Sequence, residues 1–404
     1  MERYSITKDS ILEGCLVTPE VYQGILKRFE QFIAPFIKHL HKRTHRQKAF
    51  DYMQGLMSDT ERKNVESIAY YHGEDRQPLQ KFMGQVEWDD EIILDKLVKR
   101  VTREIGTSHG VLVLDPTSFP KKGTQSVGVQ RQWCGRLGKV DNCQVATFLA
   151  YVGTVEFALV DRRLYLPQEW TDDPERCRIA GVPEKHIVAK TRHEQALEML
   201  KGRGKKLPHS WIAGDDEMGR IPWFRKDLRK MKESYLLAVP SNILVCDLEQ
   251  KNMYNKNESN DIFVPVRQWM TSRPSERWKT IKVRQGHKGW LSVRLVTCRV
   301  LAKIEGDVGD VETLVVSKWR DETGKPRCDY YLSCSEESTT LDEYARVIKS
   351  AYRIEESFRR AKGECGLSDY QVRNWLGWHH HVALAMLSQW FLTEELLTQK
   401  KKYR

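Results

Sequence analysis

VLVLDPTSFPKKG, residues 111–123, decides the fold. Four consecutive apolar residues run straight into Asp115, and Pro116 follows. A short run of this kind reads as a strand buried on both faces, and it would hold the carboxylate rigidly where the strand ends. The pattern recurs in WIAGDDEMGR (211–220), where an apolar stretch meets Asp215 and Asp216. Much later, YRIEESFRRAK (352–362) carries Glu355 and Glu356 on a helical segment. Two strand-end aspartates and a helical glutamate make a candidate acidic triad for divalent metal: Asp115, Asp215 and Glu355. Asp216 and Glu356 are the alternates. Each member also has a plainer explanation. Asp115 before Pro116 could cap a turn, Asp215 or Asp216 could cap a following helix, and Glu355 could pair with Lys362 or an arginine. Ile348, Ala351, Glu355, Phe358 and Lys362 recur at helical spacing, which turns Glu355 toward the core or a cleft and Glu356 outward.

The surrounding strand and helix signals organise the chain. Residues 1–105 read as helices, with VYQGILKRFEQFIAPFIKHLHKR (21–43) amphipathic, Ser58 and Glu61 spaced as a capping box, and 79–105 helical again. Strand patterns at 111–115, 126–133 and 143–152 precede a helix (193–204), a strand (210–213), a helix (221–232) and a strand (235–240). That order predicts an α/β fold, a mixed sheet flanked by helices. From 241 to 338 the chain changes to basic, alternating strand patterns. Helix then resumes at 339–363, with Gly363 as its stop, and VALAMLSQWFLTEELL (382–397) is a last apolar helix that fits the core better than an interface. Four parts follow: a helical part (1–105), which its basic cluster at 39–48 marks as the candidate DNA-binding domain, a mixed-sheet core in two pieces (106–240 and 339–404) that carries the candidate triad, and an inserted basic β-domain (241–338).

Composition narrows the partner. Lys and Arg number 66 against 55 Asp and Glu, a net charge of +11, and such a surplus suits a polyanion. The chain has no apolar run long enough to cross a bilayer and an amino terminus unlike a signal peptide, which points away from membranes and toward the cytoplasm and its nucleoid. Nine scattered cysteines without a CxxC pair fit reduced thiols better than disulfides or zinc. His41 and His45 lie in a basic run and read as DNA or solvent contacts. His379, His380 and His381 read as the polar start of a helix, with at most one turned inward.

Carboxylate chemistry suits the charge. Three carboxylates can hold two Mg²⁺ or Mn²⁺ ions about 3.5–4 Å apart for phosphoryl transfer. Basic residues Lys42, Arg43, Arg46 and Lys48 mark an amino-terminal DNA-contacting helix. In the basic β-region, Trp269, Trp278, Trp290 and Trp319 alternate with cations such as Arg267, Lys279 and Arg284. Aromatics among cations suit opened DNA strands. At least two of these tryptophans should be core, and one of Trp278 and Trp290 exposed.

The chain resembles the bacterial insertion-sequence transposases of the DDE superfamily, in the branch with an all-β insertion between the second Asp and the Glu. The resemblance rests on DPTSFPKKGTQSVGVQRQWCGRLGKVDNCQVA (115–146), RLYLPQEW (163–170), GDDEMGR (214–220) and YRIEESFRRAKGECGLSDYQVRNWLGW (352–378). It implies a ribonuclease H-like core with Asp115, Asp215 and Glu355 as catalytic metal ligands. It also implies Mg²⁺ or Mn²⁺, DNA ends and target DNA as partners, cut-and-paste excision and strand transfer at terminal inverted repeats, and a homodimer bridging two ends. Glu355 and Lys362 match the family's Tyr–Arg–Glu–Lys spacing of seven. Where the family usually has Arg four residues before the Glu, this chain has Ala351, and Arg353 is the candidate replacement. Lys121, Lys122, Lys362 and Arg373 are further candidate DNA contacts. A silent DNA-binding descendant and a ribonuclease H-like nuclease remain the alternatives.

Overall fold

The computed structural model describes residues 24–249, 262–286, 289–304, 306–321 and 323–402. It opens with five helices: α1 (Ile25–Ile37), α2 (Arg43–Leu56), α3 (Val65–Tyr71), α4 (Arg76–Gly84) and α5 (Asp90–Ile105). The start of α3 is set by Asn64, whose side chain accepts the Ser67 N–H at 2.9 Å. Ser58 is not the cap; its hydroxyl donates to Gly55 O.

Strands β1 (Val111–Pro120), β2 (Gln130–Cys134), β3 (Lys139–Val152) and β4 (Phe157–Leu164) follow. After short helices α6 (Gln168–Thr171) and α7 (Pro174–Ile179) comes α8 (Arg192–Gly202), opened by a capping box between Thr191 and Glu194. Next are β5 (Trp211–Gly214), α9 (Asp216–Gly219), α10 (Pro222–Lys230) and β6 (Tyr235–Val239). Across the sheet the order is β4-β3-β1-β5-β6. β1, β3 and β4 run antiparallel, while β1, β5 and β6 run parallel. Three antiparallel strands continued by two parallel ones, with helical crossovers, is the ribonuclease H-like arrangement. The last ten residues of β3 are all buried, which explains why they are apolar apart from Gln144 and Thr147.

β7 (Leu244–Asp247), β8 (Val264–Pro265), the short helix α11 (Val266–Thr271), β9 (Lys279–Gly286), β10 (Gly289–Ile304), β11 (Asp307–Arg320) and β12 (Pro326–Ser333) come next. These strands extend the same sheet, since β12 pairs antiparallel with β6. They enclose an apolar cluster of their own around Val245, Trp269, Trp278, Val296, Leu314 and Val316. The chain closes with α12 (Leu341–Ala351), α13 (Arg353–Glu364) and α14 (Trp375–Lys402). The single helix expected over 339–363 is therefore broken at Tyr352. Its stop is Gly366, at φ +59°, rather than Gly363.

Helix α14 runs through the core. Leu384, Leu387, Trp390 and Phe391 are buried, as expected for a helix apolar on every side. It ties the amino-terminal helices to the sheet: Phe391 meets Phe29 and Phe32 at 5.1 Å, and Glu395 and Glu394 pair with Arg28 and Arg100. His379, His380 and His381 are all buried, which corrects the expectation of a polar helix start. His380 stacks on Trp88 with centroids 3.6 Å apart, and His381 Nδ1 meets the Tyr52 hydroxyl at 2.8 Å. Partners on α2 and before α5 hold imidazoles that would otherwise face water.

Burial pushes His381 down to about 3. Its unfolded value lies near 6.5, so its neutral form is favoured by folding. The stabilisation is complete above pH ~6.5 and is lost as pH falls toward 3, at ~1.4 kcal/mol per pH unit. Burial also lowers His379 and His380, so denaturant unfolding followed from pH 7.5 to pH 5 should fall at least this steeply below pH ~6.5, and His381→Phe should make the slope shallower by ~1.4 kcal/mol per pH unit. Equal slopes in both proteins would remove His381 as an acid-sensitive group.

Among the described residues no helix is long and apolar enough to cross a membrane, and every described cysteine is a free thiol.

Candidate active site

β1 and β5 bring two aspartates side by side. The parallel register that pairs Leu114 with Gly214 leads straight into Asp115 and Asp215, on strands that lie about 4.8 Å apart. β5 stops there because Asp215 turns the chain: its carboxylate accepts the Met218 N–H at 3.1 Å and caps the one-turn helix α9. Capping and a place on the cavity wall are thus both properties of Asp215. β1 instead continues to Pro120 against β3, so Asp115 marks the end of the parallel pairing and not the end of its own strand. Pro116 has no N–H to donate, and it is tolerated because the β5 side has become an edge.

The turn after Asp215 is crowded. A Cβ on Gly219 would lie 1.8 Å from Ala238 O, so only glycine lets α9 pass this close to β6.

Glu355 arrives from the first turn of α13. Asp115, Asp215, Asp216, Tyr330 and Glu355 line one cavity of about 370 Å³, with Ala351 and Tyr352 beside them. Because the helix breaks at Tyr352, the anticipated stripe from Ile348 to Lys362 is not one helix face; Glu355 is exposed and its neighbour Ile354 is buried. Glu356 is occupied elsewhere, pairing with Arg353 at 2.7 Å and Arg360 at 2.5 Å. Asp216 is exposed and pairs with Arg220 at 2.8 Å. Among the described residues, no three His, Cys, Asp or Glu side chains stand close enough to form a ready-made metal site.

The electrostatics are those of crowded acids. Burial pushes the Asp115 carboxyl well above the usual range, and the charges of Asp215 and Glu355 push it further. Burial raises Asp215 to about 7 against the opposing Met218 hydrogen bond, with Glu217 and Asp216 adding to the rise. Lys362 does not reach Glu355 as a salt bridge; its Nζ donates to Thr117 Oγ1 at 2.8 Å, two residues from Asp115. Burial and the Arg136 charge bring Lys362 down to about 8.

The candidate DNA contacts separate into available and committed groups. Lys42, Arg43 and Arg46 are exposed at the start of α2, whereas Lys48 is held by Glu74. Lys122 and Arg373 are exposed. Lys121 lies 3.5 Å over the Tyr370 ring and donates to Tyr370 O at 3.2 Å, so it acts as a structural clamp. Arg353 is partly spent on Glu356. Lys279 is exposed. Trp278 is 7% exposed, inside the second apolar cluster beside Trp269, which corrects its assignment to an open stacking platform. The side chains of Arg284 and Trp290 lie outside the described residues.

Sequence reasoning missed Glu217 and Arg136. Glu217 raises both aspartates and is held by Arg192 at 2.5 Å; the third acid in GDDEMG was its only signal. Arg136 sits on a turn whose return toward β1 is visible only in three dimensions.

A family model described as DDE superfamily endonuclease matches residues 35–290, a span that holds Asp115 and Asp215 and ends before Glu355. A probable transposase for insertion sequence element IS701 from Microchaete diplosiphon is 35% identical over 101 residues, 24% of this chain and 27% of that protein. The match thus spans about a quarter of the relative's length. Among solved structures, piggyBac transposase in a synaptic complex with hairpin DNA aligns over 95% of this chain and 74% of its own, at 12% identity and a TM-score of 0.42.

Proposed function

The chain belongs to the DDE superfamily of endonucleases, and from that premise we propose that it is a transposase that cuts DNA at the ends of its own insertion sequence and joins them to a target. The observation that carries this reading is the meeting of Asp115, Asp215 and Glu355 on one cavity. A net charge of +11 fits a DNA substrate.

The donor set fits Mg²⁺ or Mn²⁺. All three groups are carboxylates, the oxygen ligands that such ions prefer. Two of them carry raised pKa values, chiefly because they are buried and further because acids crowd around them. Asp115, Asp215 and Glu355 would hold the ions, two by the proposal. Bound there, divalent ions supply activation of the attacking oxygen and charge stabilisation of the leaving one. Asp115 and Asp215 contribute rigidity, because one is fixed in a paired strand and the other by its own helix cap. Lys362, anchored on Thr117, offers a cation beside the phosphate that enters the cavity. Arg353 stands on the same helix turn as Glu355 but is paired with Glu356, so it would have to leave that partner to take the phosphate contact that Ala351 cannot make.

The four-part division of the chain belongs to this proposal, with 1–105 binding the transposon end and 241–338 held over the cleaved end. So does a homodimer, since two ends must be cut in concert and twofold pairing is the commonest way to arrange it. The site of action is the cytoplasm, where chromosomal DNA is reached directly.

The test incubates the full chain with Mg²⁺ and duplex DNA carrying the inverted repeats that flank its gene. Cleavage at the repeat boundary followed by joining to a second duplex is expected. Binding without cleavage would mark a silent descendant, and cleavage without joining a nuclease; either outcome overturns the transposase reading.

The amino-terminal contact makes a separate prediction. Neutralising Lys42, Arg43 and Arg46 together should weaken end binding and flatten the plot of log K against log salt by about 0.9 per lost phosphate contact. Lys48→Gln should change the slope little, because Glu74 already holds that ammonium. A slope unchanged by the triple substitution would move the end-binding surface elsewhere.

A further inference from the structure

The β2–β3 hairpin presents a surface that the acidic cavity does not use. Trp133 is 61% exposed, and Val140, its direct partner across the ladder, is 52% exposed. Leu137, on the turn between the strands, is exposed as well. Arg131 lies two residues from Trp133 and so shares its face. Arg131, Arg136 and Lys139 outnumber the single acid, Asp141, which Lys139 already holds at 3.0 Å. The hairpin's inner side is satisfied: Cys134, Cys143 and Val145 form a small buried cluster. The outward indole therefore contributes little to folding, and an exposed aromatic among cations marks a contact surface.

The hairpin is rooted beside the carboxylates. Arg136 N–H and Cys134 Sγ–H both point to Ser118 Oγ, at 3.1 Å and 3.4 Å. Ser118 lies three residues after Asp115 on β1, and Lys362 on Thr117 feels the charges of both Asp115 and Arg136. The turn is closed by Leu137 N–H and Gly138 N–H on Cys134 O, with Gly138 at φ +63°. A ladder closed this way presents Trp133 on a rigid support, so binding has little ordering cost to overcome.

We infer that this hairpin is a DNA-gripping finger, on which Trp133 stacks against a base next to the scissile phosphate while Arg131 and Arg136 hold the flanking phosphates. Aromatic platforms bordered by cations take unstacked bases of any sequence, and the basic border favours a nucleic acid over an acid-rimmed protein partner. The inference rests on the DNA-cutting function proposed above.

The test measures anisotropy of a fluorescein-labelled forked DNA duplex, with Ca²⁺ in the buffer, against the full chain and its variants. Trp133→Ala should weaken fork binding by about 5- to 150-fold, Trp133→Phe should recover most of it, and neither should alter the salt slope. Arg131→Ala and Arg136→Ala should each lower the slope by about 0.7–0.9. Melting of each variant in the absence of DNA should match the wild type. If Trp133→Ala binds the fork as the wild type does, the finger is overturned while DNA cutting stands. If that variant instead loses self-association in sedimentation with its DNA affinity intact, the hairpin joins copies of this chain and the finger is again overturned. A wild-type chain that binds no DNA at all would remove the transposase reading together with it.

Discussion

Replacing Glu355 with Gln is expected to abolish DNA cleavage while leaving binding of the DNA end intact. The same holds for Asp115→Asn and Asp215→Asn. The three side chains share one cavity, and each substitution removes a negatively charged donor without changing its size. Charge stabilisation by a bound ion contributes several kcal/mol to phosphoryl transfer, and each ~1.4 kcal/mol is a factor of ten in rate. A loss on the order of 10³-fold or more follows for each. Glu356→Gln and Asp216→Asn serve as controls, because those carboxylates already pair with Arg353, Arg360 and Arg220. The readout is single-turnover nicking of end DNA. Full nicking by Glu355→Gln with loss in Glu356→Gln would transfer the role to Glu356, and the corresponding swap at Asp215 and Asp216 would move the second ligand.

The largest stability effect is expected at a buried ion pair behind the cavity. Arg225 on α10 donates from Nε to Glu312 on β11 at 3.0 Å, and both side chains are almost fully buried. The Tyr235 hydroxyl donates to the same carboxylate at 2.5 Å, and Arg225 also donates to Gly219 O at 2.5 Å. Removing Glu312 leaves the buried Arg225 guanidinium without its anion, and removing Arg225 leaves Glu312 with only the Tyr235 hydroxyl and Arg229 at 4.0 Å; breaking a buried pair in this way costs about 3–5 kcal/mol. Glu312→Ala and Arg225→Ala should each lose that much in denaturant unfolding, whereas Arg225→Met with Glu312→Leu should lose much less. Because Arg225 fixes the turn that follows Asp215 by donating to Gly219 O, both variants that lack Arg225 should also cut more slowly than the wild type. Equal losses for single and double variants would mean that the pair itself stabilises the fold, rather than merely satisfying two buried charges.

Much of the site was legible because local rules and tertiary structure agree there. The apolar run into Asp115 is an interior strand, the run into Asp215 is another, and their parallel pairing needs only the helical crossover that the sequence displays between them. The charge of the chain and the buried α14 were equally plain. Other features depend on contacts that no local window contains. His379, His380 and His381 look like a polar start, yet Trp88, Tyr52 and backbone carbonyls from distant segments enclose them. Trp278 looks like a base platform, but the strands of its own region fold a core around it. Ser58 and Glu61 have capping spacing, but Asn64 sits next to the first apolar residue of α3 and takes the cap. The helix over 339–363 carries no proline to mark its break at Tyr352, where α13 turns Glu355 toward the cavity.

The central claim is that Asp115, Asp215 and Glu355 together hold a divalent ion. Calorimetric titration of Mn²⁺ into the full chain at pH 6.5, repeated in buffers of different ionisation enthalpy, tests it without relying on catalysis. Burial raises Asp215 to about 7, so it carries a proton in part at that pH, and metal binding must displace it. The account predicts saturable binding with proton release in the wild type, and loss of both in Asp115→Asn. Binding of equal affinity in the variant, or wild-type binding that releases no protons, would contradict it.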